Sequence, residues 1–105
     1  MVTIKPLTTV DDYKSATSND GICVIKFGAS WCNPCQRIEP VYEEIAKGNK
    51  TMIFFKVDCD VLKEAAKAEK ISSIPAFVVY NNGVRVATHT GGDEERLRLF
   101  FKDSN

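Results

Sequence analysis

The chain has 105 residues, 44% of them hydrophobic and 27% charged, which suits a single domain, 1–105, of ordinary globular composition. Fourteen Lys and Arg offset fourteen Asp and Glu, so the basic excess expected of a nucleic-acid binder is absent. Four cysteines are too few for a disulfide scaffold of this length, and no run approaches the ~18 apolar residues of a membrane-spanning helix.

Met1 to Pro6 carries no basic segment followed by an apolar stretch, so no secretory signal is read and the expected compartment is the reducing cytoplasm. Val2 to Lys5 reads as a short strand. Thr9 stands three residues before Asp12, a capping pattern that predicts a helix over 9–18. Asn19, Asp20 and Gly21 make a turn. Ile22 to Phe27 is nearly continuous in its apolarity, as in a strand covered on both faces. From Pro34 onward Ile38, Val41, Tyr42, Ile45 and Ala46 recur at helical spacing, and Gly48 and Asn49 end the run. Pro34 suits a first helical turn, whereas Pro40 lies inside and should kink the helix.

Met52 to Val57 is a second apolar strand, and Asp60 is expected to cap a helix reaching about Ala68. A third strand, Ala76 to Tyr80, meets the hairpin signal Asn82-Gly83 and returns as Val84 to Thr88. Gly91 and Gly92 interrupt the chain. Asp93 then caps a last helix with Leu97, Phe100 and Phe101 inward, and Asp103 to Asn105 reads as a frayed tail. The order β-α-β-α-β-α-β-β-α predicts an α/β fold: a mixed central sheet of five strands flanked by four helices.

Chemistry concentrates in Trp31-Cys32-Asn33-Pro34-Cys35, where a buried strand gives way to a helix. A helix N-terminus favours an anion, and thiolate is the reactive form of cysteine. Cys32 is therefore the expected nucleophile and Cys35, one turn inward, the resolving thiol. Trp31 offers a flat apolar contact for a substrate. The competing reading is zinc, but a zinc site needs a second matched pair of ligands. Cys23 and Cys59 are isolated and His89 is the sole histidine, so no metal is expected.

The segment Phe27-Gly28-Ala29-Ser30-Trp31-Cys32-Asn33-Pro34-Cys35 resembles the active-site motif of the thioredoxin family. Ile74-Pro75 before a strand, Asn82-Gly83 in the hairpin and Gly91-Gly92 before the last helix extend the resemblance over essentially the whole chain. Val57-Asp58-Cys59-Asp60 and the short length are most similar to the cytosolic thioredoxins of eukaryotes. The resemblance implies a thioredoxin fold and reduction of protein disulfides. No bound cofactor is implied, since the Cys32–Cys35 dithiol holds the two electrons. It implies recharging by an NADPH-dependent thioredoxin reductase, with disulfide-containing proteins as targets; a monomer is expected. It further implies a cis Ile74–Pro75 peptide facing the cysteines, and a docking groove of Trp31, Ile74, Pro75 and Gly91 beside which a substrate strand pairs. The bland alternatives are a strand-start proline at 75 and a simple turn at 91.

Three positions depart from the family. Asn33 replaces the usual Gly, in front of Pro34, and both are expected to modulate the site. Ala76 replaces a common Thr. Lys26 stands where the family carries a buried Asp, commonly assigned to taking the proton of the second cysteine. Three outcomes are open for Lys26. Charged, it attracts thiolates; desolvated, it loses its proton and acts as a base; or its stem packs while the ammonium snorkels to water. Cys23 is expected to be a core residue. Cys59, between Asp58 and Asp60, is expected to be an exposed thiol with a raised pKa, either inert or regulatory. Other functions on the same fold are a disulfide isomerase or oxidant, a redox-independent binding module, and a glutaredoxin. Asn33-Pro34, the lack of a leader, the intact cysteine pair and the tryptophan-led motif weigh against them.

Overall fold

A computed structural model describes residues 4–104. Its elements in chain order are β1 (Lys5–Pro6), α1 (Val10–Ser18), β2 (Ile22–Gly28), α2 (Asn33–Gly48), β3 (Met52–Asp58), α3 (Lys63–Ala68), β4 (Ala76–Asn81), β5 (Val84–Thr90) and α4 (Glu94–Ser104). The sheet order is β1-β3-β2-β4-β5. β2 runs parallel to β3 and antiparallel to β4, so the mixed five-stranded sheet with four helices is as the sequence predicts.

β2 occupies the centre because both of its faces are apolar. Cys23, Ile25 and Phe27 point to one side, where they meet Ala16 of α1 and Ala65 of α3. Val24 points to the other side, against Ile38, Tyr42 and Ala46 of α2 and Leu97 and Phe101 of α4. Tyr42, Phe54, Phe77 and Phe101 pack there with centroids 5.4 to 6.4 Å apart. Fully burying side chains of this kind stabilises a fold by roughly 1.5–3 kcal/mol each. The Tyr42 hydroxyl, wholly inside, donates to the Phe55 carbonyl at 2.7 Å, which meets the demand a buried polar group makes.

The local signals explain most boundaries. Thr9 caps α1, its hydroxyl accepting from the Asp12 N–H at 3.0 Å. Asn82 and Gly83 have φ of 51° and 85°, the pair of positive values that a tight hairpin turn requires. Asp93 accepts from the Arg96 N–H at 2.9 Å and opens α4.

Four expectations are corrected. Asp60 does not cap α3, which starts at Lys63 after Leu62 and has no side-chain cap. The Asp58 side chain instead accepts from the Asp60 N–H, and the Asp58 carbonyl from Val61 and Leu62. That turn consumes the residues a cap at 60 would have needed. β5 extends to Thr90, because His89 and Thr90 continue the pairing with Phe77 and Ala76. The first strand lies at Lys5–Pro6; Val2 and Thr3 fall outside the described residues. Asp103 and Ser104 continue α4, while Asn105 is also outside the described residues.

Candidate active site

The site forms where β2, the innermost strand, ends and α2 begins. Gly28 closes β2 and its carbonyl accepts from the Cys59 N–H at 2.8 Å, which ties the turn to the end of β3. Cys32 has an extended backbone and is the N-cap of α2. Its Sγ accepts from the Cys35 N–H at 3.3 Å. Pro34 sits in the first turn, where a missing N–H costs nothing.

Cys32 and Cys35 are joined in a disulfide, with Cα atoms 5.2 Å apart. Cys35 is 1% exposed and Cys32 5%. On reduction the Cys32 thiolate would lie against the unpaired N–H groups at the positive end of a 16-residue helix. An arrangement of this kind stores an electron pair as a dithiol and hands it on by thiol–disulfide exchange.

The other predicted residues fall around this pair. The Ile74–Pro75 peptide is cis. The Ile74 carbonyl oxygen lies 3.9 Å from Cys32 Sγ, and the Ile74 side chain packs on Ala29, Cys32 and Cys35. Pro75 is buried, and its carbonyl accepts from the Gly91 N–H at 2.9 Å. Gly91 has φ of +109°, a conformation that only glycine adopts readily. Trp31 is 68% exposed, and its indole Nε1–H donates to Asp60 Oδ2 at 2.8 Å. Asp60, expected as a helix cap, is thus the residue that orients the tryptophan. Asn33 and Pro34 are exposed beside the disulfide.

Lys26 does not snorkel. Its side chain is 6% exposed, and Nζ donates to the Cys35 carbonyl at 3.1 Å and to Glu39 Oε2 in a close ion pair. Glu39 is the partner that sequence reasoning missed. Two signals could have found it. Cys35 and Glu39 are four apart and so share a face of α2. β2 and β3 are apolar runs each interrupted by one lysine, and the register sets Lys26 beside Lys56. Two like charges on neighbouring strands call for an anion between them. Glu39 meets both, with Lys56 Nζ 3.8 Å from Oε1.

The remaining candidates are peripheral. Burial pushes the Cys23 thiol up to about 11, and its Sγ donates to the Ala16 carbonyl at 3.3 Å. Cys59 is half-buried rather than exposed; burial, then Asp58 and Asp60, raise its pKa. His89 packs between Phe77 and Phe100, and burial lowers its pKa. Among the described residues, no group of three His, Cys, Asp or Glu is placed to hold a metal. No helix there is long and apolar enough to cross a membrane.

A cysteine pair at the junction of a central strand and a helix, opposite a cis-proline, defines a thiol–disulfide exchange centre. Comparison with known proteins makes the assignment specific. The family model described as Thioredoxin matches residues 4–103. Thioredoxin 1 of Plasmodium falciparum is 39% identical over 99 residues, spanning 94% of this chain and 95% of that protein. A thioredoxin of Geodia cydonium is 44% identical over 99 residues, spanning 91% and 93%. The solved structure of Plasmodium falciparum thioredoxin superposes with a TM-score of 0.94 at 36% identity, covering 97% of this chain and all of that one. Fasciola hepatica thioredoxin gives a TM-score of 0.89 at 34% identity, with 97% and 100% covered. The chain belongs to the thioredoxin family. Its Cys32–Cys35 pair is a redox-active dithiol/disulfide, and its activity is that of a thiol–disulfide oxidoreductase. Disulfide-bearing proteins as targets and a reductase as donor follow from that membership.

Proposed function

We propose that the chain reduces disulfides of other proteins as a monomer in the cytoplasm, and that an NADPH-dependent thioredoxin reductase recharges it. The observation that carries the assignment of roles is Cys32 Sγ at the N-cap of α2, receiving the Cys35 N–H at 3.3 Å. That position favours thiolate at Cys32. The Cys32 thiolate attacks one sulfur of a target disulfide, forming a mixed disulfide and releasing one target thiol. Cys35, enclosed beneath it, then gives up its proton and attacks Cys32 Sγ. The Cys32–Cys35 disulfide forms, and the second target thiol leaves with a proton. Two electrons pass from the protein to the target, and the released target sulfurs take up their protons from solvent.

The target strand lies along Ile74–Pro75, where the Ile74 carbonyl faces the sulfurs, with Trp31 and Gly91 on its flanks. Pro75 contributes through its backbone, since its ring is buried. Asn33 and Pro34 set the start of α2 and with it the stability of the thiolate.

Insulin-disulfide reduction driven by dithiothreitol tests the activity. The wild type is expected to precipitate the insulin B chain and Cys32→Ser to lose that activity; equal activity in the two would reject the proposal. Cys35→Ser is expected to accumulate mixed disulfides on Cys32 that a reductant releases.

A further inference from the structure

A cavity of about 380 Å³ lies behind the disulfide, lined by Cys35, Glu39, Lys26, Lys56, Gln36 and Asp58 among others. None of Trp31, Ile74, Pro75 or Gly91 lines it, so it opens on a different side from the docking groove. It is roomy enough for several waters at ~30 Å³ each. Glu39 Oε2 is held by Lys26, but Oε1 is buried with no hydrogen-bond partner in the protein. Buried polar atoms of this kind are nearly always satisfied, by water if not by protein. Cys35 is 1% exposed, so its thiol proton can reach bulk water only by way of a space such as this cavity. A Cβ placed on Gly28 would lie 3.3 Å from Cys35 Sγ and 3.8 Å from Lys26 Cε. The absent side chain there is what lets the thiol and the lysine stem share one small space.

We propose that Glu39 exchanges the proton of Cys35 through this rear cavity, and that Lys26 is the positioning residue that clasps both Glu39 and the Cys35 carbonyl. The inference rests on the reductase reading above, with Cys35 as the resolving thiol. In the resolving step the Cys35 S–H bond breaks and its proton passes, by way of water in the cavity, to the Glu39 carboxylate. The thiolate attacks Cys32 Sγ, the bond from Cys32 to the target breaks, and the departing target sulfur takes a proton from solvent. Glu39 then returns its proton to water. Because the route avoids the groove, it stays open while a protein target covers the front of the site. The charged or titratable groups facing Glu39 are Lys26 on β2, Lys56 and Asp58 on β3, and Cys35 and Tyr42 on α2.

Stopped-flow mixing of the reduced protein with one equivalent of 5,5′-dithiobis(2-nitrobenzoate) tests this. The first release of coloured thiolate reports attack by Cys32, and the second reports resolution by Cys35. Glu39→Gln is expected to keep the first rate within about twofold and to slow the second about 10²-fold at pH 6–7, the low end for a positioned general base. The deficit should narrow as pH rises from 6 to 9, because hydroxide then increasingly takes the Cys35 proton without Glu39. The exchanged pair, Lys26→Glu with Glu39→Lys, should recover at least a tenth of the wild-type second rate. If Glu39→Gln does not fold, the neutral pair Lys26→Gln with Glu39→Gln buries no lone charge and should show the same pH-dependent loss. An unchanged second phase, or one slowed equally at every pH from 6 to 9, overturns the proposal. A wild type lacking the first phase would instead refute the reductase reading.

Discussion

Replacing Lys26 by Met removes a cation that is 6% exposed and leaves Glu39, 22% exposed, with only Lys56 at 3.8 Å. Breaking a fully buried ion pair costs about 3–5 kcal/mol. Partial exposure and the second lysine reduce that to roughly 2–3 kcal/mol for Lys26→Met. Glu39→Met should cost more, ~3–5 kcal/mol, because the enclosed ammonium keeps only the Cys35 carbonyl. The double variant buries no charge, so it should lie within about 1 kcal/mol of the wild type, well short of the sum of the two. Lys56→Met serves as the control, at under ~0.5 kcal/mol, since its side chain is 43% exposed. Urea unfolding of the wild type and the four variants, all oxidised and at one pH, reads these differences as shifts in midpoint at constant slope. A double variant destabilised by the full sum of the singles would refute the claim that the two charges are held by one another.

Two further outcomes follow from the site's surroundings. Gly91→Ala places a side chain at φ +109° and should destabilise by about 1–3 kcal/mol; because the Gly91 N–H binds the Pro75 carbonyl, insulin reduction should slow as well. A thermal melt checks the first, and equal stability would contradict the strain argument. In alkali, the folded chain keeps the Cys23 proton up to about pH 11 while the unfolded chain loses it from about 9. Stability from this group is therefore intact below pH 9 and lost as pH rises through 11, and Cys23→Ala should flatten that part of the urea-midpoint profile.

The fold was largely legible because its determinants are local. Apolar runs mark β2 to β4, Thr9 and Asp93 mark helix starts, and Asn82-Gly83 marks the hairpin. The disulfide pair was equally plain from its four-residue span at a strand-to-helix junction. Glu39 was not, because its role depends on the β2/β3 register and on which face of α2 meets the sheet, neither of which a single helix or strand encodes. Lys26 read alone leaves three outcomes open: a charge that attracts thiolates, a desolvated base, or an ammonium that snorkels to water. Read beside Lys56 and Glu39, it is one side of a three-residue cluster. Asp60 misled for a related reason: its position suited a cap, but the Asp58 turn and the Trp31 indole claimed it first.

The chain contains one tryptophan, and that residue adjoins Cys32 with its ring nitrogen bonded to a carboxylate and most of its surface in solvent. Selective excitation of indole therefore interrogates the redox centre and nothing else in the molecule. Emission collected during reduction, target docking or acid titration is a local signal that needs no attached dye. Because that indole also stands where a target is proposed to rest, one optical channel can follow both the arrival of a partner and the change of oxidation state.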